Sequence, residues 1–331
     1  MMPDISIVIP AYDVGPFIGA ALRSALRQEG VRFEVIVVDD GSRDGTADEI
    51  ARFAGDPRLH VIRQGNQGVP AARNAGILAA RGRYIGFLDG DDMWDATKAR
   101  RHVELMDRDP GIDLSCSWWR VVDEDGRDIG RSRTVPPDRV PGGLGLEGLM
   151  IENFAGNGST VVCRRDALLR AGLFDPALHQ GCEDLDAWLR IAALRDRNIA
   201  VVPEVLTSYR MQRGQMSRDW RRMLAGWETA IAKARHAHPE RVARVEPLAR
   251  ARFGRFLGYL AYQGGDHAAA RRLMARAWRS APTALVADQR ALLVTAALLA
   301  QAVLPGAWHT RLAAAARAWR LRLFGQDSAD V

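Results

Sequence analysis

Within the first 88 residues, four short apolar runs each stop at a turn or an acidic cluster, and helical patterns lie between them. Ile5-Ser6-Ile7-Val8-Ile9 is closed by Pro10, and residues 33–38 run into Asp39-Asp40. Residues 59–62 form a third run, and residues 84–88 lead into Asp89. The first suits a central buried strand, and the other three read as further strands. After the first, Pro16 suits an opening helical turn, and Phe17, Ile18, Ala21, Leu22, Ala25 and Leu26 recur on one helical face. Thr46-Ala47-Asp48-Glu49 has the spacing of a capping box, so a helix is predicted to open there, and a third helix is predicted over residues 70–80. This alternation predicts an α/β fold with a mostly parallel sheet flanked by helices. Ligands of such sheets bind beyond the carboxyl ends of the strands. The segments to inspect are therefore Pro10-Ala11-Tyr12, Asp39-Asp40-Gly41-Ser42 and Asp89-Gly90-Asp91-Asp92.

The last of these carries the strongest chemistry. In an extended segment Asp89 and Asp91 would share a face. Carboxylates crowded at a strand end repel unless a cation relieves them, and Mg²⁺ or Mn²⁺ prefers such oxygen ligands. A solvated turn is the plainer reading of an aspartate pair, but Asp39 and Asp40 bring a second acidic loop to the same edge. The first strand lacks the G-x-G-x-x-G of a dinucleotide fold, and no P-loop follows, so phosphates are expected to meet a metal. A third acidic group, Glu183-Asp184-Leu185-Asp186, opens a predicted helix over residues 184–194. The helix dipole alone accounts for acids there, while a positioned carboxylate can also deprotonate a hydroxyl.

The middle of the chain, about 113–210, is less regular: a strand over Leu114–Val122, glycine-rich stretches at 142–148 and 156–158, and a short strand at 161–163. Trp118 and Trp119 read as core or as the wall of an acceptor site. From Asp219 onward the pattern is helical, and residues 258–282 suggest a helical hairpin. A length of 331 residues suits one large domain with an appendage, here 1–219 followed by 220–331. Three scattered cysteines with no C-x-x-C pair favour a reducing compartment and argue against zinc. The first ten residues read as a strand rather than a secretion signal. The most apolar stretch, 291–304, is 14 residues long, short of the roughly 18 of a spanning helix. It reads as a buried or a membrane-surface helix. Residues 221–331 carry a net charge of +11 against −5 for the first 220. That basic tail, with Trp319 beside Arg320 and Arg322, suits either a solvated helical face or an anionic surface, lipid or nucleic acid.

Four blocks together resemble the opening of family 2 glycosyltransferases: Ser6-Ile7-Val8-Ile9-Pro10-Ala11-Tyr12, Val37-Val38-Asp39-Asp40-Gly41-Ser42-Arg43-Asp44-Gly45-Thr46, Asn66-Gln67-Gly68-Val69-Pro70-Ala71-Ala72-Arg73-Asn74-Ala75-Gly76 and Phe87-Leu88-Asp89-Gly90-Asp91-Asp92. The resemblance covers about residues 4–215. It implies a GT-A fold that transfers a single sugar from a nucleoside-diphosphate donor with inversion, and the helical pattern after Asp219 adds an all-α C-terminal extension. By the same resemblance Tyr12, with Pro10 and Ala11 beside it, and Asp40 lie around the nucleotide base, and Gly68 and Arg73 approach the donor. Asp89 reaches ribose or metal, Asp91 binds the divalent cation, Asp92 assists, and Asp184, next to Glu183, is the base. Relatives often carry Tyr-Arg-x-His near the end of the domain. Here Tyr209-Arg210-Met211-Gln212 puts glutamine, a poor ligand for such an ion, at the last position, so phosphate contacts are expected to shift to Arg210 or Arg213. The partners implied are a nucleotide sugar, with a UDP-sugar favoured, a glycan or glycolipid acceptor, and an anionic membrane surface, but no nucleic acid. The setting implied is cytoplasmic, peripheral on the inner membrane. A noncatalytic module retaining the fold is the competing reading, and a nucleotidyltransferase a weaker one, since its basic glycine-rich loop is missing.

Overall fold

The computed structural model describes residues 2–133, 135–179, 181–212 and 215–303. Nine strands form one sheet: β1 (Ile5–Ala11), β2 (Phe33–Asp39), β3 (Leu59–Arg63), β4 (Tyr84–Phe87), β5 (Met93–Trp94), β6 (Leu114–Val122), β7 (Asp128–Arg133), β8 (Val161–Arg164) and β9 (Ile199–Arg210). Their order is β3-β2-β1-β4-β8-β6-β9-β5, with β7 paired to β6. The first four are mutually parallel, β8 runs antiparallel to both β4 and β6, and β9 is parallel to β6. The sheet is thus parallel in its first half and mixed beyond.

Helices α1 (Gly15–Leu26), α2 (Thr46–Ala51), α3 (Val69–Ala79) and α4 (Lys98–Arg108) fill the first connections, and α5 (Leu146–Ile151), α6 (Arg165–Arg170) and α7 (Glu183–Ala192) the later ones. Alternate residues of β1 and β2 face two layers. Ile7, Val35 and Val37 pack with α1, α2 and α4, while Val8, Ile36 and Val38 pack with α3 and α7. Burial on both faces explains why these strands are continuously apolar. At Gly76 helix α3 lies so close to β1 that an added Cβ would sit 2.4 Å from a methyl of Val8.

Sequence and structure differ here at Thr46 and at β9. Thr46 is the first helical residue rather than a cap: its hydroxyl bonds Asp44 and accepts from Val14 N–H, so no capping box forms. The longest strand, β9, carries no sequence signal because it contains Pro203. Its register against β6 jumps from Ser117–Val202 to Trp118–Val205, which leaves Pro203 in a bulge, where a strand tolerates it.

Five further helices follow: α8 (Trp220–Ala237), α9 (Pro239–Gln263), α10 (His267–Ser280), α11 (Pro282–Val286) and α12 (Gln289–Val303). Trp227, Ala230, Ile231, Val242 and Ala249 join the core of the sheet domain, whereas the rest of α9 makes a separate core with α10, α11 and α12. The expected hairpin is α9–α10, turned at Gly264-Gly265, with the Asp266 carboxylate capping Ala269 N–H at 3.0 Å. Helix α12 covers most of the apolar stretch; Leu304 and the basic segment 318–324 lie outside the described residues. No helix among the described residues is long and apolar enough to cross a membrane.

The tight α3–β1 contact predicts that Gly76→Ala lowers stability by about 1–3 kcal/mol, the usual cost of overpacking. Gly55→Ala, where an added Cβ meets nothing within 4 Å, should change it little. Urea unfolding midpoints of the two variants check this.

Candidate active site

The turns beyond β1 and β2 are stitched together by their own polar groups. Asp44 accepts from Gly15 N–H at 2.9 Å and from Thr46 N–H at 2.9 Å, while Asp13 accepts from Arg43 N–H at 2.8 Å. Gly41 has φ +80°, and an added Cβ there would lie 3.0 Å from Asn66 N. Asp40 is buried and accepts from the Gln64 side chain and from the N–H groups of Gln67 and Gly68, at 2.8, 3.0 and 2.8 Å. Its carboxylate therefore shapes the entry to α3. Pro10 and Ala11 are buried within β1, and Tyr12 is 42 % exposed just past its end.

Beyond β4, residues 89–92 form a turn rather than the expected extended segment, closed by Asp92 N–H donating to the Asp89 carbonyl at 3.0 Å. Gly90 is required by packing, since a Cβ would lie 2.9 Å from Val14 Cγ2 and 3.3 Å from the Pro10 carbonyl oxygen. The turn hangs from both flanks. Asp89 N–H donates to Ser159 Oγ at 2.9 Å, the Asp92 carboxylate accepts from Arg210 N–H at 2.8 Å, and Gln212 Nε2 donates to Asp91 Oδ2 at 2.6 Å. Burial, then the charge of Asp89, pushes the Asp91 pKa up to about 6. Burial, then the charges of Asp91 and Asp89, holds Asp92 well above the usual carboxylate range.

Arg73, on α3, joins this turn to the third acidic group. Its guanidinium, 2 % exposed, donates to Asp89 Oδ1 at 2.7 Å and to Glu183 Oε1 at 2.8 Å, and lies 5.3 Å from the Phe174 ring centre. Burial alone would lower its pKa, but the charges of Asp89, Glu183 and Asp184 outweigh that and raise it. Phe87, Phe174 and Trp188 meet with ring centres 5.2–5.7 Å apart and fix β4 against α7. Helix α7 begins at Glu183 because Cys182 before it is left-handed, φ 60° and ψ 18°. Helix α8 braces that turn: a Cβ on Gly226 would lie 2.2 Å from the Gly181 carbonyl oxygen, so only glycine allows the approach. Asp184 accepts from Leu185 N–H at 2.6 Å, and burial, then the charge of Glu183, raises its pKa to about 7. Asp186 instead faces α8, pairing with Lys233 at 2.8 Å and with Arg190 at 2.7 Å.

The structure thus gathers Arg73, Asp89, Glu183 and Asp184 into one connected group, with Asp91 and Asp92 on the same turn as Asp89. Arg210 corrects one expectation. It is buried, and its guanidinium donates to the backbone carbonyls of Asp91, Asp123 and Glu124 at 2.8, 3.1 and 2.6 Å, which makes it a strut of the acidic turn rather than a free phosphate ligand. Arg213 lies outside the described residues. Trp119 is buried and Trp118 half-buried, donating to the Val135 carbonyl at 3.2 Å. Two residues escaped the sequence reading, Ser159 and Gly158; a Cβ on Gly158 would lie 2.6 Å from Arg73 Nη2. Their signal was the glycine-rich stretch at 156–158, whose conformation a sequence does not give.

A hard divalent cation suits the donor set of Asp89, Asp91 and Asp92. All three carboxylates lie on one short turn, Asp92 buried beneath it and accepting from Arg210 N–H, and burial with mutual repulsion disfavours full ionisation of Asp91 and Asp92 until a positive charge arrives. Among the described residues no group of three or more His, Cys, Asp or Glu closes around a metal. Mg²⁺ and Mn²⁺ need no such cage where substrate phosphates complete the coordination.

Comparison with known proteins bears on the family and the fold. Succinoglycan biosynthesis protein ExoO of Rhizobium meliloti is 43% identical over 141 residues, 42% of this chain and 40% of its own length. The chain therefore spans less than half of that relative. The Escherichia coli protein UDP-Glc:alpha-D-GlcNAc-diphosphoundecaprenol beta-1,3-glucosyltransferase WfgD is 29% identical over 216 residues, 64% of this chain and 79% of its own. Among solved structures, S. aureus TarS in complex with UDP-GlcNAc superposes with a TM-score of 0.62 at 20% identity, covering 79% of this chain and 74% of that one. The mannosyltransferase PcManGT from Pyrobaculum calidifontis, in complex with GDP-Man and Mn²⁺, gives 0.56 at 21% identity, covering 98% and 88%. These likenesses give the fold as GT-A. The profile of glycosyl transferase family 2 matches residues 6–173, half of the chain, and the chain belongs to that family.

Proposed function

We propose that this glycosyltransferase moves one sugar from a nucleoside-diphosphate donor to a hydroxyl of a glycan or glycolipid acceptor, with inversion at the anomeric carbon. The observation that carries the reading is the Arg73 bridge, which brings the Asp89–Asp92 turn beside Glu183 and Asp184. Asp184 is the base. As the acceptor oxygen bonds to the anomeric carbon, its proton passes to the Asp184 carboxylate, and the sugar–phosphate bond breaks with its electron pair leaving on the diphosphate. A carboxyl group poised near 7 is matched to that task at neutral pH. Glu183, tied to Arg73, orients rather than accepts. Asp91, with Asp89 and Asp92, would hold the cation, which supplies Lewis-acid neutralisation of the diphosphate charge. Tyr12 and the segment from Asp40 to Gly68 border the nucleotide. A UDP-sugar is favoured, in line with the UDP-GlcNAc bound to TarS and the name of WfgD; the GDP-Man of PcManGT makes guanine the first alternative.

A lipid-linked acceptor is the favoured class, as for WfgD by its name. The helices after 219/220 then meet the membrane from the cytoplasmic side, while α8 and the start of α9 also complete the core of the transfer domain. Supporting this, α10 exposes Arg271, Arg272, Arg276 and Arg279, and the adjoining α12 exposes Leu292, Leu293 and Leu299. Basic and apolar groups together are what anionic lipid surfaces attract.

Asp91→Ala should abolish transfer and remove the metal-dependent part of UDP binding while the fold survives, as read by product analysis and by calorimetry with and without Mn²⁺. Undiminished turnover in excess chelator contradicts the metal assignment, and nucleotide binding without any transfer would favour the noncatalytic module.

Asp184→Asn should keep donor affinity but lower kcat by about 10²–10⁴-fold. In the parent enzyme kcat/KM should rise with pH to about 7 and then level, because the base works ionised. Stability runs the other way. With a folded pKa raised from 3.8 to about 7, Asp184 binds its proton more tightly folded than unfolded, so its contribution falls as pH rises through that window. Urea titrations between pH 4 and 7 should show that slope flattened in Asp184→Asn; an unchanged slope places the titration on another group.

The full chain should co-sediment with phosphatidylglycerol vesicles at low salt and release at high salt; absence of binding at any ionic strength makes the arginines a solvated face.

A further inference from the structure

Lys98 opens α4 with its side chain entirely buried, and it forms no ion pair with any described carboxylate. Its Nζ donates to Ser117 Oγ at 2.7 Å and to the Thr160 carbonyl at 3.0 Å, lies 3.3 Å from His102 Nε2, and sits 5.0 Å from the Trp94 ring centre. A buried amine without a counter-charge is costly, and burial lowers this one to about 7. Methionine, of similar length, would fill the same space without burying a charge, but would leave Ser117 Oγ and the Thr160 carbonyl without this donor.

What the amine holds is the short turn at 158–160. Trp94 Nε1 and Thr207 Oγ1 donate to the Ser159 carbonyl at 2.7 and 3.2 Å, and Lys98 takes the next carbonyl along. With its carbonyls fixed from below, the turn presents Ser159 Oγ to Asp89 N–H and the bare Cα of Gly158 to the Arg73 guanidinium. Arg73 and Asp89 are the pair on which the acidic groups converge.

We propose that Lys98 is a positioning residue for the acidic site: through the 158–160 turn it sets the height of Ser159 and Gly158, and hence of Asp89 and Arg73. The inference rests on the transferase reading only for its kinetic consequence. The structural consequence is a property of the fold itself.

The test is Lys98→Met in the full chain, alone and with Ser159→Ala. Lys98→Met should still fold cooperatively, and amide hydrogen exchange over residues 88–92 should speed several-fold while that of β1 stays unchanged. In the transfer assay kcat should fall about 10–100-fold with KM for the donor nearly constant, as expected for sub-ångström misplacement of catalytic groups. The double variant should be no worse than the worse single one, because both act through one turn. Parent-like exchange at 88–92 overturns the proposal, as does parent-like kcat in an active enzyme or multiplication of the two losses. If the parent shows no transfer at all, exchange alone decides, and the failure belongs to the functional reading. If Lys98→Met fails to fold, Ser117→Ala removes the oxygen anchoring the same amine: the same exchange signature supports the proposal, and its absence overturns it.

Discussion

One buried guanidinium organises this molecule's chemistry. Arg73 sits where α3 leaves the sheet and reaches a carboxylate from a strand end on one side and a carboxylate from a helix start on the other. Removing a charge like this from water is expensive, and only paired geometry makes it tolerable. The surroundings supply that geometry: Phe174 offers a ring face, and Gly158 leaves the guanidinium the space that a methyl would take. The bridge also divides labour among the acids. Asp89 and Glu183 accept directly from the Arg73 guanidinium, whereas Asp184 bonds only its own helix and is pushed toward neutrality.

Strands β1, β2 and β4 were legible because burial on both faces writes itself as largely apolar runs, and helices between them as spaced ones; β3, at the sheet edge, is partly exposed. Positions just past β1, β2 and β4 could be singled out for the same topological reason. The roles of individual acids there were less legible. Asp39, Asp40 and Asp44 stand in one motif, and all three carboxylates accept from backbone N–H groups, Asp39 within its own loop and the other two from neighbouring loops. Nothing in a run of residues says whether an aspartate will be satisfied by ligand or by main chain, since both partners arrive from distant segments.

The mixed half was harder. Strand β9 hides behind Pro203, whose cost is absorbed by a bulge that exists only against β6. Arg210 resembled a phosphate ligand by position, but three backbone carbonyls left open by neighbouring turns claim it first. Gln212 is the converse case. As a metal ligand it is poor, but its amide donates to Asp91, and the position keeps a tie to the acidic turn with a different chemistry.

The glycine at 226 has a consequence for where this protein can be cut. Through it the first C-terminal helix rests directly on the backbone that turns into α7, and Trp227 beside it is part of the sheet domain's core. A minimal fragment ending at the apparent seam would lose the abutment that keeps Cys182 left-handed and would open the core at the Trp227 site. The seam belongs to chain order alone; in mechanical terms the keystone of the N-terminal half is carried by the C-terminal one.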